Sequence, residues 1–136
     1  MEQRDYLLRE IEKIGLILRA ILGTLFNKTE NLAIGIENPF EQTKELLIHE
    51  IGFDLDTFLT LDEPATKEYL SGFDGFNPSN LELLAEVLYN TGLSGKAENN
   101  KIYLEKALQL YEMCSNIDKT YSGPRESRIT KIKSML

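Results

Sequence analysis

Histidine, cysteine and clustered carboxylates are the side chains best suited to chemistry, and the sequence holds few that could act together. His49 is the only histidine. At helical spacing it stands one turn after Glu45 and away from the stripe of Phe40, Leu47 and Ile51. It reads as a solvated imidazole, because a general base needs an oriented partner and a pocket. Cys114, the only cysteine, has no disulfide partner and no Cys or His at metal-ligand spacing. It falls mid-stripe among Ala107, Leu110 and Tyr111, where a free cysteine behaves as a small apolar residue. A reactive thiolate would want exposure and neighbouring positive charge, and neither is evident. Asp54, Asp56, Asp62 and Glu63 gather four carboxylates, which is chemistry for a hard cation. However, Thr57 and Leu61 stand where ligands would be needed, and no glycine supplies the sharp turn. These acids therefore read as helix caps and solvated charge, and Asp74-Gly75 followed by Asn77 as turn and cap. With no GxGxxG or GxxxxGK[ST] string and no Ser/His/Asp or Cys/His set, the sequence predicts no catalytic residue, no cofactor and no metal.

The elements that would carry these residues are helical. Residues 3–26 form one long helix with Leu7, Ile11, Ile14, Leu18, Ile21, Leu22 and Leu25 on one stripe. After Ile14, Leu16, Ile17 and Ala20 add apolar surface on the far side, where only Arg19 keeps a charge. Either this helix lies centrally and is covered on both sides, or the second face meets another chain. Asn38-Pro39-Phe40-Glu41 is a helix start: Asn38 can cap, Pro39 fits the first turn and Glu41 suits the helix dipole. That helix runs to about Ile51, and Gly52 supplies a left-handed stop. Residues 53–61 alternate like a strand, but a lone strand has nothing to pair with, so a short helical turn is expected. A small helix near 63–71 closes at Gly72. Asn77-Pro78 repeats the start signal and opens a helix over 78–91 that stops before Gly92. A helix over about 96–116 carries Tyr103, Leu104, Ala107, Leu108, Leu110, Tyr111 and Cys114 on one face. The last helix, about 124–135, docks through Ile129 and Ile132 and has a basic outer side. Tyr89, Tyr103, Tyr111 and Tyr121 are spaced as core or groove-lining residues, and any left exposed would anchor a bound peptide.

The 136 residues suit one domain with its own core, since 42% are apolar and 27% charged. The net charge of −7 is uneven. Residues 27–116 hold sixteen acids against six bases, whereas 117–136 hold five bases against two acids. An acidic body repels phosphate backbones, so nucleic acid is disfavoured, although the basic tail suits an acidic partner. The first helix is charge-balanced rather than Lys/Arg-rich, which argues against a membrane-surface role. Neither a signal peptide nor a membrane span is read, and the lone cysteine favours a reducing, cytoplasmic setting. The Asn27-Lys28-Thr29 sequon is then idle.

Two resemblances follow from these residues. Leu84-Ala85, Leu88-Tyr89 and Gly92, followed by Tyr103-Leu104, Ala107-Leu108 and Tyr111, resemble a divergent tetratricopeptide hairpin, in which small residues let two antiparallel helices approach. Arg4-Asp5-Tyr6-Leu7-Leu8-Arg9-Glu10-Ile11-Glu12 and Ile51-Gly52-Phe53-Asp54-Leu55-Asp56 resemble a family of short bacterial helical proteins known only as a domain of unknown function. That resemblance implies a cytoplasmic all-α protein and no particular reaction. The reading is thus a single all-α domain over 1–136, a tetratricopeptide-like array of antiparallel hairpins. Its parts are the long helix at 3–26, a helical middle at 38–72, and a hairpin plus final helix at 77–136. Its expected role is a non-catalytic protein-interaction or self-association module, with a homodimer as one form and Leu16, Ile17, Arg19, Ala20, Tyr89 and Tyr103 as the candidate surface. The alternative is a small-ligand binder or small enzyme with its site in the acidic middle.

Overall fold

A computed structural model describes residues 2–26, 39–93, 100–119 and 122–136. Seven α-helices make up the fold among these residues: α1 (Glu2–Phe26), α2 (Pro39–Glu50), α3 (Leu55–Thr60), α4 (Glu63–Ser71), α5 (Pro78–Leu93), α6 (Asn100–Asp118) and α7 (Gly123–Met135). No strand occurs among them, so the all-α class holds, and the strand-like stretch 53–61 contains the short helix α3. Contacts group into two compact units, Met1–Phe76 and Asn77–Leu136, dividing at the second Asn-Pro start signal.

In the first unit α1 packs against α2, and α2 against α3. Ile14, Leu18 and Ile21 are buried on α1, as are Thr43 and Leu47 on α2. The stripe predicted for α1 is not covered from end to end: Ile11 and Leu22 are half-buried and Leu7 is 41% exposed. The side chains of Leu25 and Phe40 and the predicted cap Asn38 lie outside the described residues, as does the 27–29 sequon. Gly52, at φ 80°, takes the left-handed conformation that lets the Phe53 N–H reach back to the Leu47 carbonyl at 3.0 Å. Two short helices then start on aspartate caps. The Asp54 carboxylate accepts from the Thr57 N–H at 3.3 Å and the Thr57 hydroxyl at 2.9 Å, and Asp62 accepts from the Ala65 N–H at 2.9 Å. Such short helices have little stability of their own. They are held by aromatic packing: Phe53 lies 4.9–5.6 Å, centroid to centroid, from Phe58, Tyr69, Phe73 and Phe76. The Tyr69 hydroxyl accepts from the Asp54 N–H at 2.8 Å, tying α4 to the start of α3. Gly75 closes the unit against α1, where a Cβ would fall 2.6 Å from the Glu10 carbonyl oxygen.

In the second unit α5 starts as expected, with the Asn77 side chain accepting from the Asn80 N–H at 2.9 Å. The predicted end is corrected: α5 runs through Gly92 to Leu93. Gly92 is a notch within the helix rather than a stop, since a Cβ there would lie 2.7 Å from Leu104 Cγ. The α5–α6 pair is antiparallel, because Gly92 faces Leu104 while Pro78, at the other end of α5, meets Cys114. Leu84, Ala85, Val87 and Leu88 of α5 and Ala107, Leu110, Tyr111 and Cys114 of α6 are fully buried. α6 continues to Asp118, two residues past its predicted end; its predicted first residues, 96–99, lie outside the described ones. α7 is capped by the Ser122 hydroxyl, which accepts from the Arg125 N–H at 3.4 Å, and it buries Ile129 and Ile132 as expected.

Candidate functional site

The predicted surface divides between two helices with different fates. On α1, Leu16 is 57% exposed, Arg19 and Ala20 are exposed and Ile17 is half-buried. The face opposite Ile14 and Leu18 is therefore open rather than covered on both sides. Further toward the start of α1, Tyr6 and Leu8 are also about half exposed. Tyr89 and Tyr103 require a correction as surface anchors. They are 1% and 5% exposed, because α5 and α6 face each other along their length and both rings fill the interior. Tyr121 lies outside the described residues.

The residues with chemical potential are dispersed. His49 is exposed in the last turn of α2. Cys114 is buried and its thiol donates to the Pro78 carbonyl at 3.5 Å. Burial pushes this thiol up to about 11, against the opposing pull of the nearby Arg125 charge. The acidic middle is occupied by structural work: Asp54 and Asp62 cap helices, Asp56 lies 3.0 Å from the Lys44 ammonium, and Glu63 lies 3.6 Å from Lys67. No group of three or more His, Cys, Asp or Glu among the described residues could hold a metal ion. A shallow, open groove of about 520 Å³ runs along α7, lined by Gly123, Glu126, Ser127, Thr130, Lys131 and Ser134.

Sequence reasoning missed a third set, the seat of α7 on the α5–α6 hairpin. The last helix reads as apolar inside and basic outside, yet both of its arginines turn toward the hairpin, Arg125 buried and Arg128 half-buried. Arg125 is 5% exposed. Its guanidinium forms a two-pronged pair with Asp118 of α6, at 2.8 and 3.2 Å, and reaches Glu82 of α5 at 3.2 Å. Its Nη1 also donates to the Ser115 hydroxyl at 3.5 Å. One turn on, Arg128 pairs twice with Glu86 of α5, at 3.0 and 3.2 Å, and lies 4.4 Å over the Tyr89 ring. Tyr111 of α6 donates its hydroxyl proton to the same Glu86 carboxylate. Burial first, and then this hydrogen bond, raise Tyr111 far above the ordinary phenol range. The pairing with Asp118 and Glu82 raises Arg125 further, and that with Glu86 raises Arg128, so both stay charged against the cost of burial. Three stripes meet here: Pro78, Glu82, Glu86 and Tyr89 on α5; Tyr111, Cys114, Ser115 and Asp118 on α6; Arg125, Arg128 and Ile132 on α7. Such spacing brings residues to one side of each helix. The arrangement clamps a cationic helix in an acidic seat. It presents no nucleophile, base and pocket together.

Compared with protein-family models, curated proteins and solved structures, the chain matches none. No helix among the described residues is long and apolar enough to cross a membrane.

Proposed function

We propose that this chain is a non-catalytic, cytoplasmic protein-interaction module whose contact surface is the outer face of α1, with self-association as its simplest form. The observation that carries the reading is Leu16, a leucine more than half exposed, with Ala20 and Arg19 open beside it. A pairing of α1 with its copy would remove this surface from water at about 25 cal/mol per Å² of apolar area. The tetratricopeptide-like character of the second unit belongs to the same reading. It draws on the antiparallel α5–α6 pair, with Ala85, Gly92 and Ala107 buried where the helices approach. A ligand or enzyme site in the acidic middle gains no comparable support, since four of its carboxylates already cap helices or pair with lysines.

Static light scattering on purified protein, from micromolar to submillimolar concentration, tests the reading. The expected result is a concentration-dependent rise toward the dimer mass that Leu16→Glu abolishes. A wild type that stays monomeric throughout the range overturns self-association.

A further inference from the structure

The open face of α1 has an internal order. Tyr6, Lys13 and Ala20 stand seven residues apart, as do Arg9, Leu16 and Gly23, and the two sets interleave at the alternating three- and four-residue steps of a helix-pairing seam. All six are exposed. The long side chains Tyr6, Arg9 and Lys13 fill the first half of the seam, and the small Ala20 and Gly23 the second, with Leu16 between. Gly23 has nothing within 4 Å of where a Cβ would stand and no positive φ, so the chain's own packing does not require a glycine there, and it comes at a cost in helix propensity. Along one edge of the seam Glu12 and Arg19 occupy equivalent positions, again seven residues apart. Both are exposed, and among the described residues neither forms an ion pair.

We propose that α1 pairs antiparallel with the α1 of a second copy, about a two-fold axis level with Ile14 and Gly15, and that Glu12 and Arg19 set this direction and register. The proposal rests on self-association through the outer face of α1 and specifies its geometry. In that register Tyr6 meets the second copy's Gly23 and Arg9 its Ala20, so long side chains lie against small ones. The two Leu16 side chains flank the axis, and the stem of each Lys13 covers the other copy's Leu16 while its charge reaches water. Glu12 faces the second copy's Arg19 and Arg19 its Glu12, one contact made twice, as a two-fold axis requires. Other arrangements lose this complementarity. A parallel, in-register pair stacks Arg9 on Arg9 and Lys13 on Lys13. An antiparallel pair shifted to set Leu16 against Ala20 brings Arg19 onto Arg19. Exposed ion pairs add little affinity, and the weight of Glu12 and Arg19 lies in excluding arrangements where like charges meet.

Disulfide trapping reads the direction. Arg9→Cys and Ala20→Cys are made as separate full-length chains in a Cys114→Ala background, then oxidised alone and as a mixture at submillimolar concentration. In the proposed register positions 9 and 20 of opposite copies are neighbours, whereas position 9 stands about 16 Å along the axis from its own counterpart, beyond disulfide reach. The expected result is a linked dimer in the mixture, on the order of tenfold more than from either chain alone. Linkage in the single-variant samples instead, or a wild-type dimer in light scattering with no linkage in any sample, overturns the antiparallel register and leaves self-association standing. A monomeric wild type overturns both. Charge exchange is the second readout. Glu12→Arg and Arg19→Glu each weaken the dimer about fivefold, and the double variant returns to within about twofold of the wild type. A double variant weakened by the product of the two single effects overturns the role given to this pair.

Discussion

The two units solve the same problem, holding short helices in place, with different chemistry. In the first, α3 and α4 are fixed by rings: Phe53, Phe58, Tyr69, Phe73 and Phe76 pack together, and the charges described above serve as helix caps or as pairs with Lys44 and Lys67. In the second, a well-packed apolar hairpin accepts its third helix through two arginines and three carboxylates. The difference teaches that charge at a helix interface can define which helix docks and in what register while adding little to stability, because desolvation offsets much of the attraction. Aromatic burial does the reverse: it contributes strongly and specifies loosely.

Substitutions that strike each kind of anchor sharpen that contrast. Phe53→Ala removes a fully buried ring in contact with four others and is expected to cost about 3–5 kcal/mol, read as lost amide protection throughout the first unit. Arg125→Ala is expected to cost about 2–4 kcal/mol, toward the lower end of the cost of breaking a buried pair because Glu82 and Asp118 are only half-buried. Its effect should concentrate in α7. Equal loss across α5, α6 and α7 would erase the distinction between hairpin and docked helix.

The glycines make a smaller comparison. Gly75→Ala sets a Cβ against the Glu10 carbonyl oxygen at 2.6 Å, which is backbone and cannot step aside, so about 1–3 kcal/mol of destabilisation is expected. Gly92→Ala sets a Cβ 2.7 Å from Cγ of the buried Leu104 and 3.2 Å from the Asn100 carbonyl oxygen, so the clash offsets the gain of about 1 kcal/mol in helix propensity and a net loss of about 1 kcal/mol is expected in thermal unfolding.

The pH response belongs to the second unit. Cys114 titrates ordinarily at 9.0 and is raised to about 11 in the fold, chiefly by burial. The folded state therefore holds its thiol proton more tightly than the unfolded state. The associated stability is complete below pH 9 and is lost as pH rises toward 11. Tyr111, also raised, acts in the same direction at higher pH. Iodoacetamide at pH 8.5 should leave Cys114 unmodified until denaturant opens the hairpin, whereas rapid alkylation of the native protein would contradict its burial. Leu16→Glu, on the open face of α1, should change stability by less than about 0.5 kcal/mol and act on association alone.

Much of this was legible from sequence where the physics is local. The buried stripes of α5 and α6, the caps Asn77, Asp54 and Asp62, and the left-handed Gly52 follow from residue type and spacing within a few positions. Gly92 misled because glycine marks both a helix end and a close helix contact, and only the partner helix decides between them. The seat was illegible for a related reason. Glu82 and Arg125 are 43 residues apart, and each taken alone is a charge on a helix, whose ordinary place is the solvent. Only the antiparallel register of α5 and α6, with α7 laid across both, turns those charges inward.

The claim that α7 is held by specific charge pairing is tested most directly by a double-mutant cycle in the full chain, with Arg128→Ala, Glu86→Ala and the combined variant unfolded by denaturant. Pairing predicts that the double variant loses less than the two single losses added together, by about 1 kcal/mol or more, with the shortfall localised to α7. Losses that add within about 0.3 kcal/mol would show that the two residues act independently, and would contradict the account.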